Sequence, residues 1–246
     1  NQAVCSKFME LIYYYLPVWM IVAQIVVYKD NLKQERKHIG SLIPALFFIL
    51  IAIGGTLCYH FIPAVGVELY CGQNLFPNGP WPVADLNPTP IAAPYYLYRN
   101  CMPSLHFSWI LAVYYSLYNA KPIYRNVALV LVVLTALSTF SVGCHYLIDL
   151  IIAVPFTMAI LAITTPEATK KLRLIGAIFG AVSVFVWLCL FKYYAASILR
   201  TPVLTLSLLI ATVLIALYLA YAICNQAKHS SLKIAPQLQQ EATLPC

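Results

Sequence analysis

Seven stretches of this sequence are apolar over the length of a membrane crossing, near Phe8–Tyr28, Ser41–Ile62, Pro103–Tyr118, Asn126–Gly143, Tyr146–Thr164, Leu174–Phe191 and Val203–Cys224. A helical crossing takes about 20 mostly apolar residues, with a range of about 17–25. Inside a bilayer the backbone must satisfy its own hydrogen bonds, so runs of this kind confine the chain to a bundle of helices. The third run is short, and the fifth contains Pro155, which membrane helices accommodate at a kink. Composition agrees: 62% of the 246 residues are hydrophobic, 9% are charged, and mean hydropathy is +0.80. An ordinary soluble domain carries about 25% charged residues, so a soluble enzyme, a disordered chain and a secreted disulfide scaffold are excluded. The net charge of +7 would suit a nucleic-acid binder if it formed one surface. Instead the basic residues cluster between apolar runs, as in the cytoplasmic loops of a polytopic membrane protein. The expected fold is therefore all-α, with about 6–7 transmembrane helices and the lipid bilayer, not nucleic acid, as its surroundings. The sequence starts at Asn1 without Met, and no signal-peptide cleavage pattern precedes the first apolar run.

Sidedness follows from the same residues. With the Pro-rich stretch from Pro63 to Met102 outside, the inner connections hold Lys29, Lys33, Arg36, Lys37, Lys121, Arg125, Lys170, Lys171, Arg173, Lys228 and Lys233. Lys7, Arg99, Lys192 and Arg200 remain outside. Eleven against four is a clear positive-inside bias and puts the N-terminus out. Residues 1–224 read as one membrane domain and 225–246 as a polar, frayed cytoplasmic tail. The outer stretch of about 40 residues far exceeds the roughly 12–15 at which structureless loops become uncommon. It carries Pro80–Trp81–Pro82, Pro88, Pro90, Tyr95, Tyr96 and Tyr98, and reads either as a lid over the membrane face or as a solvated connector. Cys71 and Cys101 bracket it, and a bridge between them would tether the loop beside Ser104. The other cysteines lie at 5, 58, 144, 189, 224 and 246 and read as apolar fillers. No internal repeat, low-complexity block or glycine-rich nucleotide motif is present.

Ionisable groups inside apolar runs are costly and mark function by default. Of the eight acids only Glu10 and Asp149 lie in such runs, and Glu10 is near an end from which it can reach the interface. Asp149 follows His145 by four residues, a spacing that stacks two side chains on one helix face. A carboxylate so placed orients the imidazole and strengthens its other nitrogen as base or nucleophile. The bland alternative is a buried pair stitching helices together. A second histidine weighs against it. Asn100–Cys101–Met102–Pro103–Ser104–Leu105–His106 enters the third run with Pro and Ser where a helix would start. A helix start offers unpaired N–H groups and partial positive charge to a phosphate. His106, His145 and Asp149 would then converge on one face as acid, nucleophile and orienting group. His38, His60 and His229 have no comparable partners in the sequence and read as loop or interface residues.

Pro103–Ser104–Leu105–His106, with Ser138–Thr139, His145–Tyr146 and Asp149, resembles the type 2 phosphatidic acid phosphatase superfamily. Within it the chain is most similar to the inositol phosphorylceramide synthase-like (inositol phosphotransferase) branch. The resemblance spans about residues 41–164 and implies a six-helix core with its site at the non-cytosolic face. It further implies a membrane lipid substrate and metal-free chemistry without a cofactor. The family's phosphatases use Pro-Ser-Gly-His, a Ser-Arg six residues before the second histidine, and an earlier Lys/Arg-Pro signature. Here Leu105 stands in place of the glycine and Thr139 in place of the arginine. No Lys-x6-Arg-Pro occurs; Lys29 and Arg36 have the spacing, but Lys37 follows, on the inner side. Missing clamps weigh against simple phosphomonoester hydrolysis, because such cations neutralise transition-state charge. Ser104 and Thr139 become candidate substrate contacts. Arg99, the one cation of the outer stretch, reads as a substitute clamp or as a headgroup-level anchor.

The implied mechanism has His145 attack phosphorus to give a phosphohistidine, Asp149 orient it, and His106 protonate the leaving oxygen. Zinc held by His106, His145 and Asp149 is disfavoured, since no known zinc spacing occurs. Three functions compete: transfer of a phosphoryl headgroup between lipids, hydrolysis of a lipid phosphate or isoprenoid pyrophosphate, and proton-coupled transport. Transport is weakened by the lack of paired broken helices and internal symmetry.

Overall fold

The computed structural model describes residues 2–33, 39–64, 66 and 102–242. Arg99, Cys71, Cys101 and nearly all of the outer stretch lie outside these residues, and with them the lid and the disulfide considered above. The described residues form eight helices and no strand: α1 (Gln2–Tyr14), α2 (Leu16–Lys33), α3 (Ile39–Phe61), α4 (Leu105–Ser116), α5 (Pro122–Ser141), α6 (Leu147–Thr164), α7 (Lys170–Arg200) and α8 (Pro202–Ala242). Five helices are long and apolar enough to cross a membrane, and α1 with α2 makes a sixth, bent span. The chain is a polytopic helical membrane protein.

The structure corrects three expectations. The run Phe8–Tyr28 is not one helix but breaks at Tyr15 with a 47° bend. Pro17 supplies the reason: it has no N–H to give back to Tyr13, and its ring crowds that carbonyl. The third run yields only the 12-residue α4, about 18 Å long and too short for a hydrocarbon core of about 30 Å. Lastly, the segment expected to fray after Asn225 continues helically to Ala242.

Two helices form the centre. α4 packs against α2, α3, α5 and α6, and α6 packs against α3, α4, α7 and α8. Of the apolar window of α6, 78% is buried, against 28% for that of α5 and 22% for that of α8. The peripheral helices turn their Leu, Ile and Val side chains outward, as with Val127, Val130, Val133 and Leu137 of α5. In water such a face would be an aggregation patch; in lipid it is the ordinary surface. Small residues set the α6–α7 contact, since a Cβ on Gly180 would come within 2.5 Å of the Pro155 carbonyl oxygen and one on Gly176 within 3.1 Å of Ala162. Hydroxyls buried in this setting donate back into their own helix, Thr157 to the Ala153 carbonyl at 2.7 Å and Thr164 to that of Ile160 at 2.9 Å.

Candidate active site

The N-terminal ends of α4 and α6 meet. Ser104 caps α4, its Oγ accepting from the Phe107 N–H at 3.3 Å. Its own N–H donates to the Asp149 carbonyl in the first turn of α6 at 3.1 Å. Tyr59 of α3 donates its hydroxyl to the Pro103 carbonyl at 3.0 Å, and Trp109 donates Nε1 to the Phe48 carbonyl at 3.3 Å. The start of α4 is thereby held from two sides. Helix geometry leaves the N–H groups of Leu105 and His106 without an intrahelical acceptor. Two helix starts, each carrying partial positive charge, lie side by side.

The second histidine arrives through a local turn. α5 ends at Ser141, and Gly143 adopts φ 75°, the left-handed conformation that glycine accepts without a Cβ penalty. The Gly143 N–H donates to the Phe140 carbonyl at 3.1 Å, and the chain reverses through Cys144 and His145 into α6. Gly66 packs against this segment so closely that a Cβ there would stand 2.7 Å from the Cys144 carbonyl oxygen.

His145 and Asp149 meet, though not on one helix face as the four-residue spacing suggests. His145 precedes α6, whose cap is Tyr146 in extended conformation, and Asp149 sits in the first helical turn. The capping geometry makes the pair: Asp149 Oδ2 accepts from the Tyr146 N–H at 2.8 Å and lies 3.4 Å from His145 Nδ1. That contact is not aligned as a hydrogen bond, so His145 Nδ1 and Asp149 Oδ1 are both buried without a hydrogen-bond partner among the described residues. Exposure is 4% for His145 and 0% for Asp149.

His106, half-buried in the first turn of α4, faces this pair with ring centroids 6.3 Å from those of His145 and planes at 59°. Trp109 lies edge-on to it at 6.1 Å. Tyr13 of α1 stacks on it at 3.8 Å with planes 19° apart. Tyr13 and Tyr59 escaped the sequence reading; Pro17, which breaks the helix beside Tyr13, was the available signal.

The remaining candidates are placed as follows. Thr139 is fully buried in α5, and its hydroxyl donates to the Ala136 carbonyl at 2.7 Å. Ser138 does the same to the Thr135 carbonyl at 2.9 Å. The Leu105 side chain fills the space over Gly55 of α3, where any Cβ would overlap it. Among the described residues, no three His, Cys, Asp or Glu side chains gather as a metal-holding cluster.

With Nδ1 3.4 Å from the carboxylate, Nε2 is the ring nitrogen of His145 left for other chemistry. An imidazole opposite it can move a proton on or off an oxygen in the space between. A family model described as the PAP2 superfamily matches residues 1–163, from α1 into α6, and so reaches further toward the N-terminus than the motifs alone suggest. No curated protein and no solved structure matches the chain.

Proposed function

The chain belongs to the PAP2 superfamily, a membership that makes it a membrane-embedded lipid enzyme of phosphatase or phosphotransferase type, and on that premise we propose that it transfers a phosphoryl headgroup between lipids through a phosphohistidine. The inositol phosphotransferase-like branch is the reading favoured by Leu105 and Thr139 at the two departures from the phosphatase motifs. His145 Nε2 attacks the phosphorus of a lipid phosphodiester, forming P–N as the P–O bond to the lipid alcohol breaks. His106 gives its proton to that departing oxygen. It then takes the proton of an acceptor hydroxyl, whose oxygen attacks phosphorus and breaks P–N. Asp149 holds the His145 ring and stabilises the positive charge that it acquires. Ser104, the paired helix starts and, in this proposal, Arg99 and Thr139 serve the phosphoryl oxygens in place of the missing clamps. The site is proposed to open on the non-cytosolic face, following the basic-residue bias.

The observation that carries this reading is burial: a nucleophile and orienting carboxylate exposed by 4% and 0% favour an acceptor brought in by a bound molecule over bulk water. The test uses purified protein, a panel of phosphorus-labelled phospholipids, and a quench in base, where phosphohistidine survives. The expected result is a covalent label that His145→Ala abolishes and that an added alcohol discharges far faster than water does. Release of free phosphate at a rate indifferent to acceptor would select the phosphatase reading. Full turnover by His145→Ala with every donor would overturn the nucleophile assignment. In sealed vesicles of known orientation, a membrane-impermeant donor should react only from the non-cytosolic side.

A further inference from the structure

We propose that Tyr13 is a positioning residue of this site, fixing the His106 ring relative to the His145 segment; the proposal rests on the functional reading above. One side chain reaches both halves of the site. Its ring covers one face of His106 at 3.8 Å and 19°, the closest ring pair among the described residues. Its hydroxyl lies beside the side chain of Cys144, the residue before His145, close enough to interact with it. His106 and His145 belong to different segments, and Tyr13 links them directly.

The placement is selective. Tyr13, Tyr14 and Tyr15 are consecutive, yet Tyr13 is 7% exposed while Tyr14 and Tyr15 are 67% and 53% exposed. The helix break caused by Pro17 falls at Tyr15, so α1 leans away from the line of α2 and packs on α5, whose end leads into Cys144 and His145. A single straight helix over this segment would not keep that angle. Tyr59 lies near the same ring and anchors the Pro103 carbonyl, so the start of α4 is fixed on its other side.

The chemical reason is orientation. Proton delivery to a leaving oxygen demands that an imidazole nitrogen stay in line with it, and misplacement by about 1 Å can cost about 10²-fold in rate. An imidazole held only through its own two torsions swings about them. A ring stacked on one face leaves only the in-plane edge free, which is the edge that carries the proton. When His106 is protonated, the electron-rich face of the phenol ring also favours it.

The experiment compares Tyr13→Leu, Tyr13→Phe and Cys144→Ala in the full chain, with wild-type protein and whichever labelled phospholipid it turns over. Tyr13→Leu should lower kcat roughly 10–100-fold with KM for the donor unchanged. Tyr13→Phe keeps the stack and should recover most of that loss. Combining Tyr13→Phe with Cys144→Ala should cost no more than the worse of the two alone, because both remove the same link. Ring-proton shifts of labelled His106 read the geometry without activity: the upfield ring-current shift should persist in Tyr13→Phe and vanish in Tyr13→Leu. Unchanged kcat in a folded Tyr13→Leu, a rise in KM alone, or a Tyr13→Phe as impaired as Tyr13→Leu would overturn the proposal. Should His145→Ala prove fully active, the functional reading fails, while the His106 shift still decides whether Tyr13 holds the ring.

Discussion

At its C-terminal end α6 is closed by hydrogen bonds, whereas at its N-terminal end two buried polar atoms have no hydrogen-bond partner among the described residues. Arg173 of α7 donates from Nε to the Ala162 carbonyl at 3.0 Å and from Nη2 to that of Ile163 at 2.9 Å. The Thr165 hydroxyl donates to the Leu161 carbonyl at 2.8 Å. At the other end Asp149 places Oδ2 on the Tyr146 N–H, and Oδ1 and His145 Nδ1 stay buried without a hydrogen-bond partner among the described residues. Leaving a buried polar group unsatisfied costs about 1–3 kcal/mol, more when charged. In the proposed function the Asp149 end carries the chemistry, and the Arg173 end serves stability alone.

Asp149→Asn should break the contrast at its chemical end and has the largest expected effect. The amide keeps the size of the carboxylate but can turn an N–H toward His145, so phosphohistidine formation should slow by roughly 10²–10⁴-fold. The change is measured by single-turnover labelling, with the melting temperature reporting an intact fold. A wild-type rate would show that the pair is only a cap for α6.

Gly55→Ala probes the support behind the same end. A methyl group there must displace Leu105, the residue between Ser104 and His106. Turnover should fall about tenfold or more through misplacement of His106. Leu105→Ala added to Gly55→Ala should restore part of it, because the smaller side chain returns the space. If the double variant is slower than Gly55→Ala alone, Leu105 matters for more than packing on α3.

Arg173→Ala sharpens the comparison from the closed end, with the smallest expected effect on chemistry. It removes two charge-assisted hydrogen bonds and should cost about 1–3 kcal/mol of stability. Turnover per folded molecule should stay within about twofold of wild type. Loss of turnover on the scale of Asp149→Asn, without loss of stability, would dissolve the distinction between the ends.

Much of this was legible before any coordinates. Apolar runs in a chain with 9% charged residues require a helical bundle in lipid, because no other arrangement satisfies the backbone there. The cost of burying ionisable groups singled out Asp149 with His145, and the Pro-Ser start singled out His106. Their roles drew also on the resemblance, since spacing alone left a structural pair equally open. Even the right pair was reached by an imperfect route: His145 meets Asp149 through a helix cap after a left-handed Gly143, not along a helix face. The continuity of the first span was misjudged because Pro17 was given no weight, and its clash with the Tyr13 carbonyl bends the chain.

What only the tertiary structure decided is which side of each helix turns inward. In water that choice is written in polarity, since one face of a helix is apolar and the other is not. In lipid both faces are apolar, so the apolar windows of α6 and α8 are nearly equal in mean hydropathy, yet 78% of the first is buried and 22% of the second. Three adjacent tyrosines are chemically identical, and only the bend at the third selects Tyr13 to lie on His106. Leu105 reads as a lost glycine until Gly55 is found beneath it, a residue 50 positions away whose missing Cβ makes the room. Sequence determined the solvent of this protein and the identity of its chemical groups, because hydrophobicity and ionisation are properties of residues taken one at a time. Orientation belongs to the packed structure, because it depends on volumes that meet only when distant segments share the same space.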